Sequence, residues 1–156
     1  MDRIVTTVAV ALGSNLGNRR AHLDYSTSRL GSILSNIRVS SYFETDPVDA
    51  PGLQPRFLNA AAIGGATVSA RDLLDTLLAI ERERGRERPV RGAARTLDLD
   101  LVLFGDQILN EPGLVVPHPR FRSRRFVLEP LAQIAPDMRD PVTGKTVQEL
   151  LKLVSG

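Results

Sequence analysis

The feature that most restricts the fold is an apolar run near the start of the chain, over residues 4–12. Its residues are mostly β-branched or alanine, and it stops at Gly13-Ser14-Asn15, which is typical of a buried strand that runs into a turn. The core of a signal peptide is the alternative interpretation, and this composition favours the strand. No apolar run approaches the roughly 18 residues that a membrane span needs. We therefore expect a cytoplasmic protein without a membrane segment.

Strand and helix patterns alternate along the rest of the chain. Residues 37–45 alternate one by one, which predicts a half-buried strand with Ile37, Val39, Ser41 and Phe43 on one face. Three prolines and a glycine within residues 46–55 predict a rigid loop. The predicted strands are 4–12, 37–45, 57–63, 97–104, 107–109 and 114–116, and the predicted helices are 18–35, 69–85, 126–135 and 146–154.

The order of these elements indicates the fold class. It is β-α-β-β-α-β followed by shorter elements, which is the ferredoxin-like arrangement with additional short strands and C-terminal helices. A length of 156 residues fits one domain of ordinary size, and no repeat, low-complexity tract or linker divides it. We expect an α+β fold in a single three-layer domain that spans residues 1–156.

Positive charge is concentrated in two segments. Arginine supplies 18 of the 20 basic residues, and residues 82–95 and 120–125 each carry a net charge of +4, although the whole chain is only +2. Two cationic segments on an otherwise acidic body predict a localised anionic ligand. Nucleic-acid binding is the main competing function, but aromatic residues are only 4% and no RNA-binding or helix-turn-helix signature occurs.

The sharpest local feature is Arg95-Thr-Leu-Asp-Leu-Asp100. On a strand, Asp98 and Asp100 point to the same face, and two carboxylates on a rigid strand suit Mg²⁺, which also takes water and substrate phosphates as ligands. The alternatives are a merely solvated strand face and a metal-dependent hydrolase. Cysteine is absent, which excludes a thiolate nucleophile and a cysteine-bound zinc.

Two further residues stand out beside these carboxylates. Glu81 lies in the predicted helix 69–85 and extends the apolar stripe of that helix by one further turn. It therefore either pairs with an arginine or contacts a ligand. His118 is fixed between two prolines beside the second arginine cluster, where a structural role and a binding role are both open. No P-loop motif occurs, so a nucleotide would be held by metal, arginine and histidine on another scaffold.

Several segments together resemble the 6-hydroxymethyl-7,8-dihydropterin pyrophosphokinases, a family of folate-biosynthesis enzymes, over nearly the whole chain. Each segment alone is weakly specific, but their order and spacing together are highly specific. The segments are 11–17, 40–47, 57–60, 80–81 with 85–86, 95–101, and 116–119 with Phe126.

The resemblance implies an ATP- and Mg²⁺-dependent diphosphotransferase, 2-amino-4-hydroxy-6-hydroxymethyldihydropteridine diphosphokinase. Such an enzyme transfers the terminal pyrophosphoryl unit of ATP to the pterin hydroxymethyl oxygen and releases AMP. Two Mg²⁺ ions are expected on Asp98 and Asp100, and the partners are expected to be small-molecule substrates rather than nucleic acid or membrane. We expect the protein to be a monomer.

The resemblance also assigns roles to individual residues. The residues expected to be catalytic are Asp98, Asp100, Arg86 and Arg95. Those expected to bind ATP are Glu81, Arg88, Arg91, Arg95, His118 and Arg124. Those expected to bind the pterin are Thr45, Asp46, Val48, Phe57, Asn59, Asp98 and Phe126.

The chain departs from the family pattern at two places. The family has Trp-Gly-Pro where this chain has Gly92-Ala93-Ala94, in a loop that is one residue shorter, and a basic position is Gly113 here. Loss of the tryptophan predicts weaker closure over the site and a higher KM. Further arginines of residues 120–125 are expected to compensate for the missing basic residue.

Overall fold

The structure is a computed structural model that describes residues 4–46, 55–85 and 96–154. In chain order, its elements are β1 (Thr6–Ser14), α1 (Arg19–Ile33), β2 (Ser35–Val39), β3 (Phe43–Thr45), β4 (Phe57–Ala66), α2 (Ala70–Glu83), β5 (Asp98–Phe104), β6 (Leu109–Glu111), β7 (Leu114–Val116), a 3-10 turn (Phe121–Ser123), α3 (Arg125–Ile134) and α4 (Val147–Leu153).

The strands form one main antiparallel sheet and one small hairpin. The main sheet has the order β2-β4-β1-β5, with β3 also paired to β4, and β6 pairs with β7. Both crossovers in the main sheet contain a helix, α1 after β1 and α2 after β4. This is the ferredoxin-like arrangement, so the predicted fold class is confirmed.

Helices cover both faces of the main sheet. Successive side chains of each strand point to opposite faces, so each strand contributes to two separate cores. On one face, Val10 and Leu12 of β1 share a core with Leu23 of α1 and Leu77 of α2. The other face packs Ala9 and Ala11 of β1 against Val127 and Leu131 of α3 and Val147 of α4. The expected three layers are therefore present. In the part of the chain described here, no helix combines the length and apolarity needed to cross a membrane.

Side-chain caps fix where the helices begin. Asn18 Oδ1 accepts a hydrogen bond from the Ala21 N–H at 3.1 Å, and Ser69 Oγ accepts one from the Asp72 N–H at 3.1 Å. Thr146 and Glu149 form a reciprocal capping box at α4. Such caps satisfy N–H groups that have no partner inside the helix, and each contributes about 1 kcal/mol.

The prediction of one continuous strand over residues 37–45 is wrong. Val39 pairs with Ala62, and Phe43 pairs with Asn59, so three residues (40–42) face only two (60–61) on β4. This extra residue is a β-bulge, and it exchanges the two faces of the strand. Ile37 and Val39 therefore face α1 and α2, whereas Phe43 and Thr45 face the opposite side.

Several boundaries also differ from the predictions. β1 starts at Thr6 because its partner β4 ends opposite it at Ala66, which leaves Ile4 exposed. Gly13 and Ser14 belong to β1 rather than to a turn. β6 begins at Leu109, two residues later than the start expected, because a turn at Gly105, with a φ of 57°, precedes it.

Candidate functional site

One row of paired residues crosses the sheet near the end of β1. Phe43, Asn59, Gly13 and Asp98 lie opposite one another on β3, β4, β1 and β5. The neighbouring row contains Asp100, Ala11 and Ala61. Ala11 and Ala61 belong to the core on the α3 side, so this whole set points toward α3. We call this surface the site face.

The two aspartates occupy the start of the edge strand β5. Asp98 and Asp100 are half-buried, whereas Leu97, Leu99 and Leu101 between and beside them are buried on the α2 side. This alternation is the one the sequence predicts. Within the described ranges no third carboxylate, histidine or cysteine joins them in a metal-binding group. Two hard oxygen donors on one face still fit Mg²⁺, which completes its shell with water and phosphate oxygens.

Glu81 at the end of α2 contacts the same strand from the opposite face. Its side chain is 4% exposed, and Oε2 accepts a hydrogen bond of 2.7 Å from the backbone N–H of Leu99. Leu99 separates the two aspartates, so this bond fixes the strand at the point that carries both. The predicted contact of Glu81 with ATP stays a prediction.

His118 lies beside the outer edge of β5. Its backbone N–H donates to the carbonyl of Val102 at 2.9 Å, and its Nδ1 accepts from the N–H of Arg120 at 3.1 Å. Burial lowers the pKa of His118 to about 4, helped by the charges of Arg124 and Arg120 and opposed by Asp98. The ring is therefore neutral at pH 7. Because Nδ1 is an acceptor, Nε2 carries the proton and is a hydrogen-bond donor.

Three of the four arginines of residues 120–125 divide into two kinds. Arg122 donates to both carboxylate oxygens of Asp140, at 2.5 and 3.0 Å, and Arg125 pairs with Glu129 at 2.9 Å. Arg124 instead lies over the ring of Phe126, 5.4 Å from its centroid, and its charge acts on His118. The expectation that further arginines of the cluster compensate for Gly113 stays a prediction, although Arg122 and Arg125 are paired with carboxylates of the fold.

The residues expected to bind the pterin lie on the site face at β3 and β4. Asn59 is buried, and its Nδ2 donates to Thr45 Oγ1 at 2.5 Å, while Phe57 is half-buried beside it. Phe126 is half-buried and packs on the core under α3. Asp46 forms a solvent-exposed ion pair with Arg56 at 3.2 Å, a type of contact that contributes little to stability.

Gly13 is a site residue that the sequence reasoning missed. It lies between Asn59 and Asp98, and a Cβ placed there would come within 3.1 Å of Asn59 Oδ1 and 3.6 Å of Phe57 Cδ1. Glycine therefore lets the Asn59 amide and the Phe57 ring pack closely against the backbone of β1. A glycine inside a strand pattern is the signal that could have found it, because such a glycine often marks close approach of a ligand or backbone.

One arginine of the first cluster contacts α1 rather than the site, and several predicted residues are not described. Arg84, in the first arginine cluster, donates through Nε to His22 Nδ1 at 3.0 Å and stacks on Tyr25, so it binds α2 to α1. Val48, Arg86, Arg88, Arg91, Arg95 and the segment Gly92-Ala93-Ala94 lie outside the described residues. The site is therefore described through Thr45, Asp46, Phe57, Asn59, Glu81, Asp98, Asp100, His118, Arg124 and Phe126.

This arrangement places two kinds of chemistry side by side. Aromatic rings and amide and hydroxyl groups at β3, β4 and α3 suit a planar, polar heterocycle. Carboxylates, a neutral histidine and an arginine at β5 and after β7 suit a metal-bound polyphosphate. Gly13 lies between the two groups, opposite Asn59 on β4 and Asp98 on β5.

Comparison with known proteins agrees with this description. The model of the family described as 7,8-dihydro-6-hydroxymethylpterin-pyrophosphokinase (HPPK) matches residues 9–136. The chain is 43% identical over 150 residues to a 2-amino-4-hydroxy-6-hydroxymethyldihydropteridine pyrophosphokinase of Pseudomonas aeruginosa, covering 95% of this chain and 91% of that protein. It is 39% identical over 143 residues to the protein of the same name from Bacillus subtilis, covering 90% of this chain and 85% of that one.

A solved structure shows the same fold at lower sequence identity. The crystal structure of wild-type Plasmodium falciparum HPPK-DHPS superposes on 97% of this chain with a TM-score of 0.76 and 14% sequence identity. The match covers 45% of that longer chain.

Proposed function

Because the chain belongs to the 7,8-dihydro-6-hydroxymethylpterin-pyrophosphokinase family, we propose that it transfers pyrophosphate from ATP to 6-hydroxymethyl-7,8-dihydropterin. The products are the pterin diphosphate and AMP, and the reaction belongs to folate biosynthesis. The family match and the two bacterial pyrophosphokinases support the reaction. The structural observation that carries it is the juxtaposition of a heterocycle-binding group and a phosphate-binding group across Gly13.

The pterin binds at the β3–β4 end of the site face. Thr45 and Asn59 supply polar groups for the edge of the heterocycle, and Phe57 and Phe126 supply the faces against which it stacks. Gly13 lets Asn59 and Phe57 pack closely against β1 at this end of the site. Asp46 and Val48 complete the expected set at the start of the following loop.

The triphosphate binds at the β5 end. Asp98 and Asp100 would hold two Mg²⁺ ions, and such ions neutralise phosphate charge and orient the oxygens for in-line attack. His118 donates an Nε2–H hydrogen bond, and Arg124 supplies a positive charge beside it. Arg86, Arg88, Arg91 and Arg95 are further phosphate contacts in this proposal.

Positioning and charge stabilisation account for most of the rate in such a reaction. The pterin hydroxymethyl oxygen attacks the β-phosphorus, and the bond from that phosphorus to the oxygen shared with the α-phosphate breaks. The hydroxyl proton is released to water, and the electron pair of the broken bond leaves on that oxygen as part of AMP. Negative charge spreads over the phosphate oxygens in the transition state. The short rigid strand that carries Asp98 and Asp100 keeps this end of the site preorganised.

Other features of the protein are also part of the proposal. Residues 1–156 act as one domain, as a monomer, in the cytoplasm. Sedimentation equilibrium of the purified chain would test the monomer: a mass near 17.0 kDa supports it, and twice that mass contradicts it.

Product analysis tests the proposed reaction. The chain is incubated with ATP and Mg²⁺, with and without the reduced pterin, and the nucleotides are separated. We expect AMP only when the pterin is present, in equal amount to the pterin diphosphate. Formation of ADP would indicate an ordinary kinase, and pterin-independent release of phosphate would indicate a metal-dependent hydrolase.

The metal assignment has a separate test. Asp100→Ala is expected to reduce kcat by a hundredfold or more, since a metal-ion contact typically contributes several kcal/mol to stabilising the transition state. Asp75→Ala, an exposed aspartate of α2, is the matched control and should change kcat by less than about twofold. Near-normal activity of folded Asp100→Ala at saturating Mg²⁺ would refute the assignment.

A further inference from the structure

The bulge between β2 and β3 decides which side of the sheet Thr45 faces. Without the extra residue, Thr45 would share a face with Ile37 and Val39, which pack with α1 and α2. With it, Thr45 pairs with Phe57 and accepts a hydrogen bond from Asn59 on the site face. A bulge that re-aims a side chain next to a binding site is a recurrent structural device.

Side chains hold the bulge in place. The N–H of Ser40 donates to the carbonyl of Ala61, and the N–H of Ala61 donates to Ser40 Oγ, each at 2.9 Å. The next residue leaves the ladder: the N–H of Ser41 donates to Gln133 Oε1 at 2.6 Å, and Gln133 Nε2 donates to Ser41 Oγ at 3.2 Å. Gln133 is thus the partner of the backbone group that the bulge removes from the ladder.

Gln133 belongs to the helix that carries Phe126. The two residues are seven positions apart on α3, close to two full turns, so they project from nearly the same side of the helix. The Gln133–Ser41 contact therefore lies on the same side of α3 as Phe126, and it joins this helix to the bulge that precedes Thr45.

We propose that Gln133 is a positioning residue for the heterocycle end of the site, because its two hydrogen bonds to Ser41 hold the bulge that turns Thr45 onto the site face. The same bonds fix the distance between β3 and α3, and hence between Thr45 and Phe126. This inference rests on the proposed function for the identity of the ligand. Gln133 does not itself contact the pterin.

Loss of Gln133 should therefore weaken binding of the pterin but not of ATP. Loss of Gln133 frees β3 and its loop while leaving Asp98, Asp100 and His118 on β5 and beside it unchanged. The KM for the pterin should rise and the KM for ATP should not. A general loss of packing would move both constants together.

The test compares four variants in the pterin-dependent AMP assay, with amide hydrogen exchange of residues 40–46 as a readout that does not depend on activity. Gln133→Ala is expected to raise the pterin KM about tenfold, the size of one or two lost hydrogen bonds, and to change the ATP KM by less than twofold. Its Ser41 amide should exchange faster than in the original protein.

The other variants separate the two hydrogen bonds. Gln133→Glu keeps an oxygen that accepts from the Ser41 N–H, and it should restore the pterin KM to within about threefold of the original. Ser41→Ala removes only the 3.2 Å bond and should have a smaller effect than Gln133→Ala. Gln148→Ala on α4 is the matched control, because among the described residues its side chain makes no hydrogen bond to the sheet. Gln133→Met replaces the alanine variant if that variant does not fold.

Three results would overturn the inference. One is an unchanged pterin KM in Gln133→Ala or Gln133→Met although Ser41 exchanges faster. Another is an equal rise of both KM values, which would indicate a purely structural residue. The last is an original chain that makes no pterin-dependent AMP, which would remove the proposed function as well, whereas the first two results leave that function standing.

Discussion

Glu81 accepts a hydrogen bond from the backbone N–H of Leu99, and this contact joins the end of α2 to the strand segment between Asp98 and Asp100. The carboxylate lies on the core side of β5, with both aspartates on the other side. The buried Glu81 carboxylate thus holds the backbone between the two aspartates in place, as a second layer of hydrogen bonds orients the ligands of a metal site.

Substitutions of Glu81 should show how much its hydrogen bond to Leu99 contributes to the free energy of unfolding. Glu81→Ala leaves the buried Leu99 N–H without this acceptor and is expected to lower the free energy of unfolding by about 1–3 kcal/mol. Glu81→Gln keeps a side-chain oxygen and should lose less than half as much. Urea unfolding measures both. Equal losses in the two variants would show that the charge of Glu81, rather than its bond to Leu99, provides the stability.

Gly13 should be intolerant of a side chain for a functional reason. In Gly13→Ala the new Cβ would lie 3.1 Å from Asn59 Oδ1, so it should displace that amide and narrow the gap between the two halves of the site. We expect the pterin KM to rise by about tenfold or more, while the midpoint of thermal unfolding changes by only a few degrees.

Gly31→Ala is the control for this substitution. Gly31 lies in α1, where a Cβ meets only Ile37 Cγ2 at 3.8 Å, so alanine should stabilise the helix by about 0.5–1 kcal/mol and leave both KM values unchanged. If Gly13→Ala bound the pterin normally, the close packing of Asn59 against Gly13 would have no role in binding.

Arg122 and Arg124 should give opposite phenotypes although they are two residues apart. Arg122→Ala leaves the fully buried carboxylate of Asp140 without its charged partner and should cost about 2–4 kcal/mol of stability, measured by urea unfolding. Arg124→Ala should leave stability nearly unchanged and raise the ATP KM about tenfold, the effect of one lost charge-assisted hydrogen bond. A normal ATP KM in Arg124→Ala would remove this residue from the phosphate site.

His118 should make stability depend on pH in the acidic range. Its pKa in the folded protein is about 4, mainly through burial, and thus below the ordinary value of 6.5. The unfolded chain therefore takes up a proton first as the pH falls, so the contribution of His118 is complete above about pH 6.5 and is lost between there and pH 4.

The comparison that measures this effect is unfolding of the original chain and His118→Gln from pH 7.5 to 4.5. The original should lose on the order of 2 kcal/mol more than the variant over this range. Nitrogen chemical shifts of the ring should place the neutral proton on Nε2. An ordinary titration near pH 6.5 would contradict the lowered pKa of His118, and a proton on Nδ1 would contradict the hydrogen bond from Arg120.

The fold could be predicted from the sequence because its elements carry local periodic signals. The alternation of Leu97, Leu99 and Leu101 with Asp98 and Asp100 sets the faces of β5 without reference to any other part of the chain. The N-caps Asn18 and Ser69 act within three residues of the N–H groups they satisfy. Such elements can be predicted because the residues that determine the local structure lie in the same segment as that structure.

The bulge could not be predicted because its cause lies far away. Residues 37–45 alternate without interruption, so the pattern alone favours a regular strand, while the group that completes the bulge, Gln133, is 92 residues from Ser41 along the chain. The same reason applies to Arg122, whose partner Asp140 is 18 residues distant. Composition shows a cluster of arginines, but only the folded chain shows which of them are already paired.

In the proposed function, one end of one sheet face holds both the metal-bound triphosphate and the pterin. This claim is tested most directly by NMR of the labelled protein with the pterin and Mn²⁺ bound to α,β-methylene-ATP, since Mn²⁺ broadens amide signals near it. We predict broadening at Gly13, Asp98 to Asp100 and His118. Thr6 and Ala66 should broaden far less, because Thr6 lies about 23 Å from Gly13 along β1. Broadening centred on Thr6 and Ala66, or spread evenly over the protein, would contradict the claim.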